Sequence, residues 1–161
     1  MTFAAVRLAQ PKPERRSAKP PKPIRRKAKA GSRTSRRRKA RKARCQDADR
    51  LFSEFIRTRD DWQCRACGKT TAQAVMQCAH VVSRRYRAVR WNPHNAVCLC
   101  SGCHVKFTHD PLGWDAWCEE RFPDSFAAMK TLARIGVEHI DYELECHMLR
   151  ERLAELKERR A

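Results

Sequence analysis

Cys64-Arg-Ala-Cys67-Gly68 and, 32 residues further on, Cys100-Ser-Gly-Cys103-His104 decide how this chain folds. Each CxxC pair can present two thiolates from one tight turn, and two such turns complete the tetrahedral four-sulfur shell that structural Zn2+ prefers. The expected staple is therefore zinc on Cys64, Cys67, Cys100 and Cys103. A four-thiolate shell is closed, so this metal folds the chain and does no chemistry. Cys98 competes for a place in the second pair, but its spacing from Cys100 is unlike a zinc knuckle. Cys78, Cys118 and Cys146 lack a partner at ligand spacing and read as small buried apolar residues.

Working outward, Val75–Val82 and Ala96–Leu99 are apolar and β-branched enough to be two strands, separated by an excursion carrying Arg84, Arg85, Arg87 and Arg90 and a turn at Asn92-Pro93. Asp47 and Asp49 followed by Leu51, Phe52, Phe55 and Ile56 predict an amphipathic helix ending near Arg59 and Asp60. Cys103 starts a short helix. Asp110-Pro111 caps and opens another, and Asp124 caps a third that stops at Gly136. From Asp141 onward, Tyr142, Cys146, Leu149, Leu153 and Leu156 form one apolar seam, which either packs on its own domain or pairs with a second copy to give a homodimer.

The 161 residues carry 36 Lys and Arg against 18 Asp and Glu, a net +18. The charge is unevenly placed. Met1 to Arg44 holds 18 basic residues and one acid, 18 − 1 = +17, which leaves 18 − 17 = +1 for residues 45–161. The division predicts two parts: 1–44, a disordered basic tail too poor in apolar residues to order itself, and 45–161, a zinc-stapled domain with carboxy-terminal helices. The tail, with Arg36, Arg37, Arg38 and Lys39 in one block, is expected to act as an electrostatic arm on nucleic acid. Neutralising about 6 to 10 phosphates would make affinity fall about 10³- to 10⁵-fold between 50 and 200 mM salt. No apolar run approaches the roughly 18 to 20 residues of a spanning helix, and the amino terminus lacks a secretory apolar stretch. The expected partner is thus a polyanion and not a membrane, and the expected compartment is the cytoplasm, where nine cysteines serve as ligands or free thiols.

Between and beside the cysteine pairs stand His80 at a strand end, Asn95 at the start of the next strand and His104 directly after the last cysteine. With Cys-Ala-His80, Asn95-Ala-Val-Cys-Leu-Cys100 and Ser-Gly-Cys103-His104, this order resembles the zinc-bearing HNH endonucleases. The helix ending Phe55-Ile-Arg-Thr-Arg-Asp60, the arginine excursion and Arg134-Ile-Gly136 are more specifically similar to the phage recombination proteins NinG and Rap. The resemblance spans about residues 51–156, with its specific motifs in 64–104. It implies an α+β fold whose small ββα-metal core is stapled by the zinc and flanked by helices. It also implies a metal-dependent DNA endonuclease of phage recombination, acting on branched DNA such as a Holliday junction or D-loop. His80 is then the general base, Asn95 orients it, and His104 holds a catalytic Mg2+ or Mn2+. Arg84, Arg85, Arg87 and Arg90 clamp flanking phosphates.

One position departs from that pattern. Many HNH enzymes carry an acidic ligand directly before the base, where this chain has Ala79. Either His104 is the sole protein ligand or His94, His109 or Asp110 joins it. The competing reading is a non-catalytic zinc module that binds nucleic acid and recruits recombination proteins. A third, a basic RNA-associated protein, leaves the His, Asn, His order unexplained.

Overall fold

The structure, a computed structural model, describes residues 33–160. The expectations placed on residues 1–32 lie outside the described residues.

Helix α1 runs Arg33–Arg59. In its second half Ala48, Leu51, Phe52, Phe55 and Ile56 recur at helical spacing and are buried. They pack on helix α5, Tyr142–Glu158, whose Cys146, Leu149 and Leu153 complete one core with Trp91 and Ala96. This settles the seam that was open between own-domain packing and a second copy. It faces α1 of the same chain and leaves Leu149 1 % exposed, which is the own-domain packing of the two alternatives. Arg44 with Glu143, Glu54 with Lys157 and, just past the two helix ends, Asp61 with Arg160 are ion pairs in matching order, so the two helices run parallel. Such exposed pairs mark the alignment more than they stabilise it.

The sequence reading starts α1 at Asp47, and the structure carries it back to Arg33, so residues 33–44 are described as helix. The physical reason is propensity: Arg, Lys and Ala are among the best helix formers, and no Gly or Pro interrupts them before Arg59.

The helix ends where Asp61 and Trp62 take left-handed φ of 58° and 51°. There Arg59 donates to the carbonyls of Pro93 (2.6 Å) and Ala96 (2.9 Å), while Asp60, paired with Arg59, accepts from the Cys98 N–H at 2.7 Å. Strands β1, Met76–His80, and β2, Ala96–Cys100, form an antiparallel pair with Met76 opposite Cys100 and His80 opposite Ala96. Backbone bonds at Val81–Asn95 and Val75–Ser101 place Cys78 and Cys98 in a non-hydrogen-bonded pair. The Cys98 N–H therefore faces away from β1 and is free to meet Asp60.

Helix α2, Ser101–His109, follows β2 without a loop. Helix α3, Pro111–Arg121, is capped by Asp110, whose carboxylate accepts from Gly113 N–H at 2.9 Å. Helix α4 spans Pro123–Ile135 and stops at Gly136, whose φ of 78° suits only glycine without strain. Pro123, not Asp124, sets its start, because proline's fixed φ suits the first helical position, and Asp124 lies inside the first turn. Trp114 and Trp117 stack at 5.3 Å over the face of the strand pair that carries Val97 and Leu99. The architecture is thus α+β, with five α-helices and a two-stranded sheet among the described residues. No described helix is long and apolar enough to cross a membrane.

Candidate functional site

The four sulfurs of Cys64, Cys67, Cys100 and Cys103 lie within 4.8 Å of one another. Cys67 and Cys100 sulfurs are 3.7 Å apart, close to the edge of about 3.8 Å that a tetrahedron with 2.3 Å metal–sulfur bonds has. Each pair sits on its own turn. Gly68, at φ 76°, bends the first so that its N–H reaches the Cys64 carbonyl at 2.8 Å. In the second, Cys100 ends β2 and caps α2, and its sulfur accepts from the Cys103 N–H at 3.4 Å. Burial pushes the Cys64 thiol up, but backbone hydrogen bonds from Cys100, Cys67 and Ala66 outweigh it and hold the group down at about 7. These are the properties of a cluster able to hold a metal such as zinc.

Cys98 is left out. It is fully buried, and that burial pushes its thiol up to about 11, so it stays protonated as an apolar group. Burial pushes Cys118 up to about 12 in the same way.

His80, at the end of β1, and His104, one turn into α2, line a single cavity of about 130 Å³ with Ala79, Leu99, Phe107, Thr108 and Trp114. The strand–strand–helix order brings the two imidazoles together from positions 24 apart in sequence. Both rings are held from outside. His80 Nε2 donates to the Arg90 carbonyl at 3.0 Å, and because a carbonyl only accepts, Nδ1 keeps the lone pair. His104 Nδ1 donates to Gln77 Oε1, which leaves Nε2 as its lone-pair atom. Burial lowers the pKa of both rings, so both are neutral at pH 7.

None of the three residues offered as an additional ligand lines this cavity. Asp110 is engaged as the cap of α3, and His94 lines a different hollow, beside Arg59, Asp60 and Arg65. The described lining offers imidazole nitrogens and one threonine hydroxyl but no carboxylate, a donor set that suits a first-row transition ion and does not suit Mg2+.

The Asn95 side chain makes its hydrogen bonds to Val82 and Val89 and none to His80. It is completely buried and clasps the arginine loop, donating to the Val82 and Val89 carbonyls at 2.9 Å and accepting from the Val82 N–H at 2.7 Å. That clasp fixes the segment whose next carbonyl, Arg90, holds the His80 ring. The expected orienting role is therefore indirect, through backbone. Asn95→Asp keeps the shape but turns both donations into repulsion between a carboxylate and carbonyls. We expect it to lower unfolding free energy by about 3 kcal/mol in a urea titration.

Arg84, Arg85 and Arg87 are exposed on the loop, with Arg85 lying over the Tyr86 ring. Arg90 is not free to clamp phosphate. It grips Asp49 of α1 bidentately at 2.8 and 2.6 Å, and Trp91 Nε1 donates to the same carboxylate at 3.0 Å. Half-buried and paired, it belongs to the frame that seats His80. Arg36, Arg37, Arg38 and Lys39 stand exposed along the first half of α1.

Sequence reading misses Asp49, Asp60, Arg59 and Gln77 as site supports. Their partners lie 27 to 42 positions away, and no local pattern announces them. No family model, curated protein or solved structure matches this chain.

Proposed function

We propose that the protein is an HNH-type, metal-dependent DNA endonuclease, that its four-cysteine cluster holds structural Zn2+, and that it works on branched DNA in phage recombination. The observation that carries the reading is the shared cavity of His80 and His104, whose outer nitrogens are both fixed by carbonyl-type acceptors. An orienting acceptor behind each imidazole is what a general base and a metal-ligating histidine both need.

In this reading His80 Nδ1 takes a proton from water, and the resulting hydroxide attacks phosphorus as the bond to the leaving oxygen breaks. His104 Nε2 would hold the cation, whose charge stabilises the developing negative oxygen. Arg84, Arg85 and Arg87, exposed on the loop next to His80, hold the flanking phosphates. The chain's own contribution is orientation: Arg90 presents its carbonyl to His80 because Asp49 grips its guanidinium and Asn95 clasps its loop.

The lack of a carboxylate in the cavity favours one alternative, a zinc-stapled module that binds nucleic acid without cutting it. Incubation with linear, flapped and four-way DNA under Mg2+, Mn2+ or Ni2+ separates the two. Nicking under Mn2+ or Ni2+, weak or lost under Mg2+, is expected of the nuclease. Binding to all three substrates with no cut under any ion is the result that assigns the module.

A further inference from the structure

The first half of α1 raises a physical problem that the second half does not. Residues 33–44 hold eight basic side chains and no acid. Almost all of this stretch is exposed, and it packs into none of the cores. At about 100° per residue these charges point in every direction around the axis. Arg33 and Arg37, Arg37 and Arg41, and Arg38 and Lys42 are like-charge neighbours at i,i+4, a spacing at which repulsion opposes the helix. Among the described residues only Arg44 of this basic set has an ion pair, with Glu143. A rod of this kind is consistent with a partner that surrounds it with negative charge.

Its shape selects among polyanions. With only Ala40 and Ala43 as apolar residues, it has no stripe to lay into a membrane surface and no i, i+3, i+4 anchors for a protein groove. Twelve helical residues make a cylinder about 18 Å long and 10 to 12 Å across with side chains. The B-form major groove, about 12 Å wide, admits such a helix and lines it with phosphates on both sides, whereas the A-form major groove is too narrow to enter.

We infer that residues 33–44 dock as a helix in the major groove of B-form DNA, their helicity coupled to that binding. Because α1 continues unbroken to Arg59, where it grips β2, and carries Asp49 beneath Arg90, the docked rod fixes the duplex relative to the His80 cavity. The inference rests on reading the partner as DNA, and it is independent of cleavage.

The decisive variant is Ala40→Pro, which keeps every charge but breaks the rod at an exposed position. Full-length protein is titrated, without added divalent cation, with a 20-base-pair DNA duplex and with the RNA duplex of the same sequence, and amide hydrogen exchange is followed along α1. Amides 37–44 are expected to slow at least tenfold with DNA and not with RNA. Ala40→Pro is expected to lose about a hundredfold in DNA affinity, the weight of proline over alanine in a helix interior, with an unchanged melting temperature. Wild-type affinity in Ala40→Pro overturns the inference and makes the segment an extended electrostatic arm. Equal protection by the RNA duplex overturns the groove. No binding of either duplex removes the inference and the DNA partner together, whereas DNA bound by Ala40→Pro with wild-type affinity removes only the inference.

Discussion

Withdrawing the metal from the four-sulfur cluster, by a strong chelator or by Cys100→Ser, is expected to abolish the cooperative fold around the strand pair. Two strands of five residues each are marginal by themselves, and their apolar cover comes from α2 and α3, which follow directly from Cys100 and Cys103. Structural zinc contributes about 10 to 16 kcal/mol in small zinc-binding peptides, as much as the whole stability of an ordinary domain. Cys100 is the most damaging single choice because it ends β2, caps α2 and supplies one of the four clustered sulfurs. The paired helices α1 and α5 have a core of their own, so the loss divides by probe. Near-ultraviolet dichroism from the stacked Trp114 and Trp117 should collapse, while far-ultraviolet helicity falls only in part. Metal analysis should return one ion per chain, restored on refolding. Identical melting with and without chelator would overturn the structural role of the cluster.

His80→Ala should reduce nicking by about 10² to 10⁴-fold, the usual contribution of a positioned general base, with DNA affinity unchanged. The variant loses one hydrogen bond to the Arg90 carbonyl, a stability change of about 1 kcal/mol that a melting curve separates from the loss of rate. The pH profile adds a second reading. Burial lowers the His80 pKa below 6.5, against the Arg90 carbonyl and Asp49, which raise it. His80 is neutral above that lowered value, so if it is the base the rate should reach its plateau below pH 6.5 and fall only at lower pH. Stability follows the same sign: as pH drops below 6.5 the unfolded chain takes up the proton first, and the folded state loses ground. Normal nicking by His80→Ala removes His80 as the base.

Much of this was legible because it is local. Two CxxC pairs, the Asp110-Pro111 and Asp141 starts, and the apolar spacing of Leu51 to Ile56 each depend on residues within a turn or two of one another. The convergence of His80 and His104 was legible only through the resemblance to the HNH order of His, Asn and His. The Asp49–Arg90 grip was not legible, since nothing in an arginine's neighbours distinguishes one that meets DNA from one that meets a carboxylate 41 positions away. The start of α1 at Arg33 was not legible for another reason: charge density and the lack of apolar residues argue against order there, while the helix propensity of Arg, Lys and Ala argues for it.

The parallel pairing of α1 with α5 also has a consequence for how the chain comes into being. Leu51, Phe52, Phe55 and Ile56 leave the ribosome some ninety residues ahead of the Cys146, Leu149 and Leu153 that cover them. Throughout that interval the nascent chain displays an apolar face on a rod whose other half is strongly cationic, a combination that invites adhesion to ribosomal RNA and to neighbouring chains. A message truncated before Asp141 would therefore yield a product that holds its metal ligands and both histidines yet precipitates, its fate decided by a helix that touches neither site.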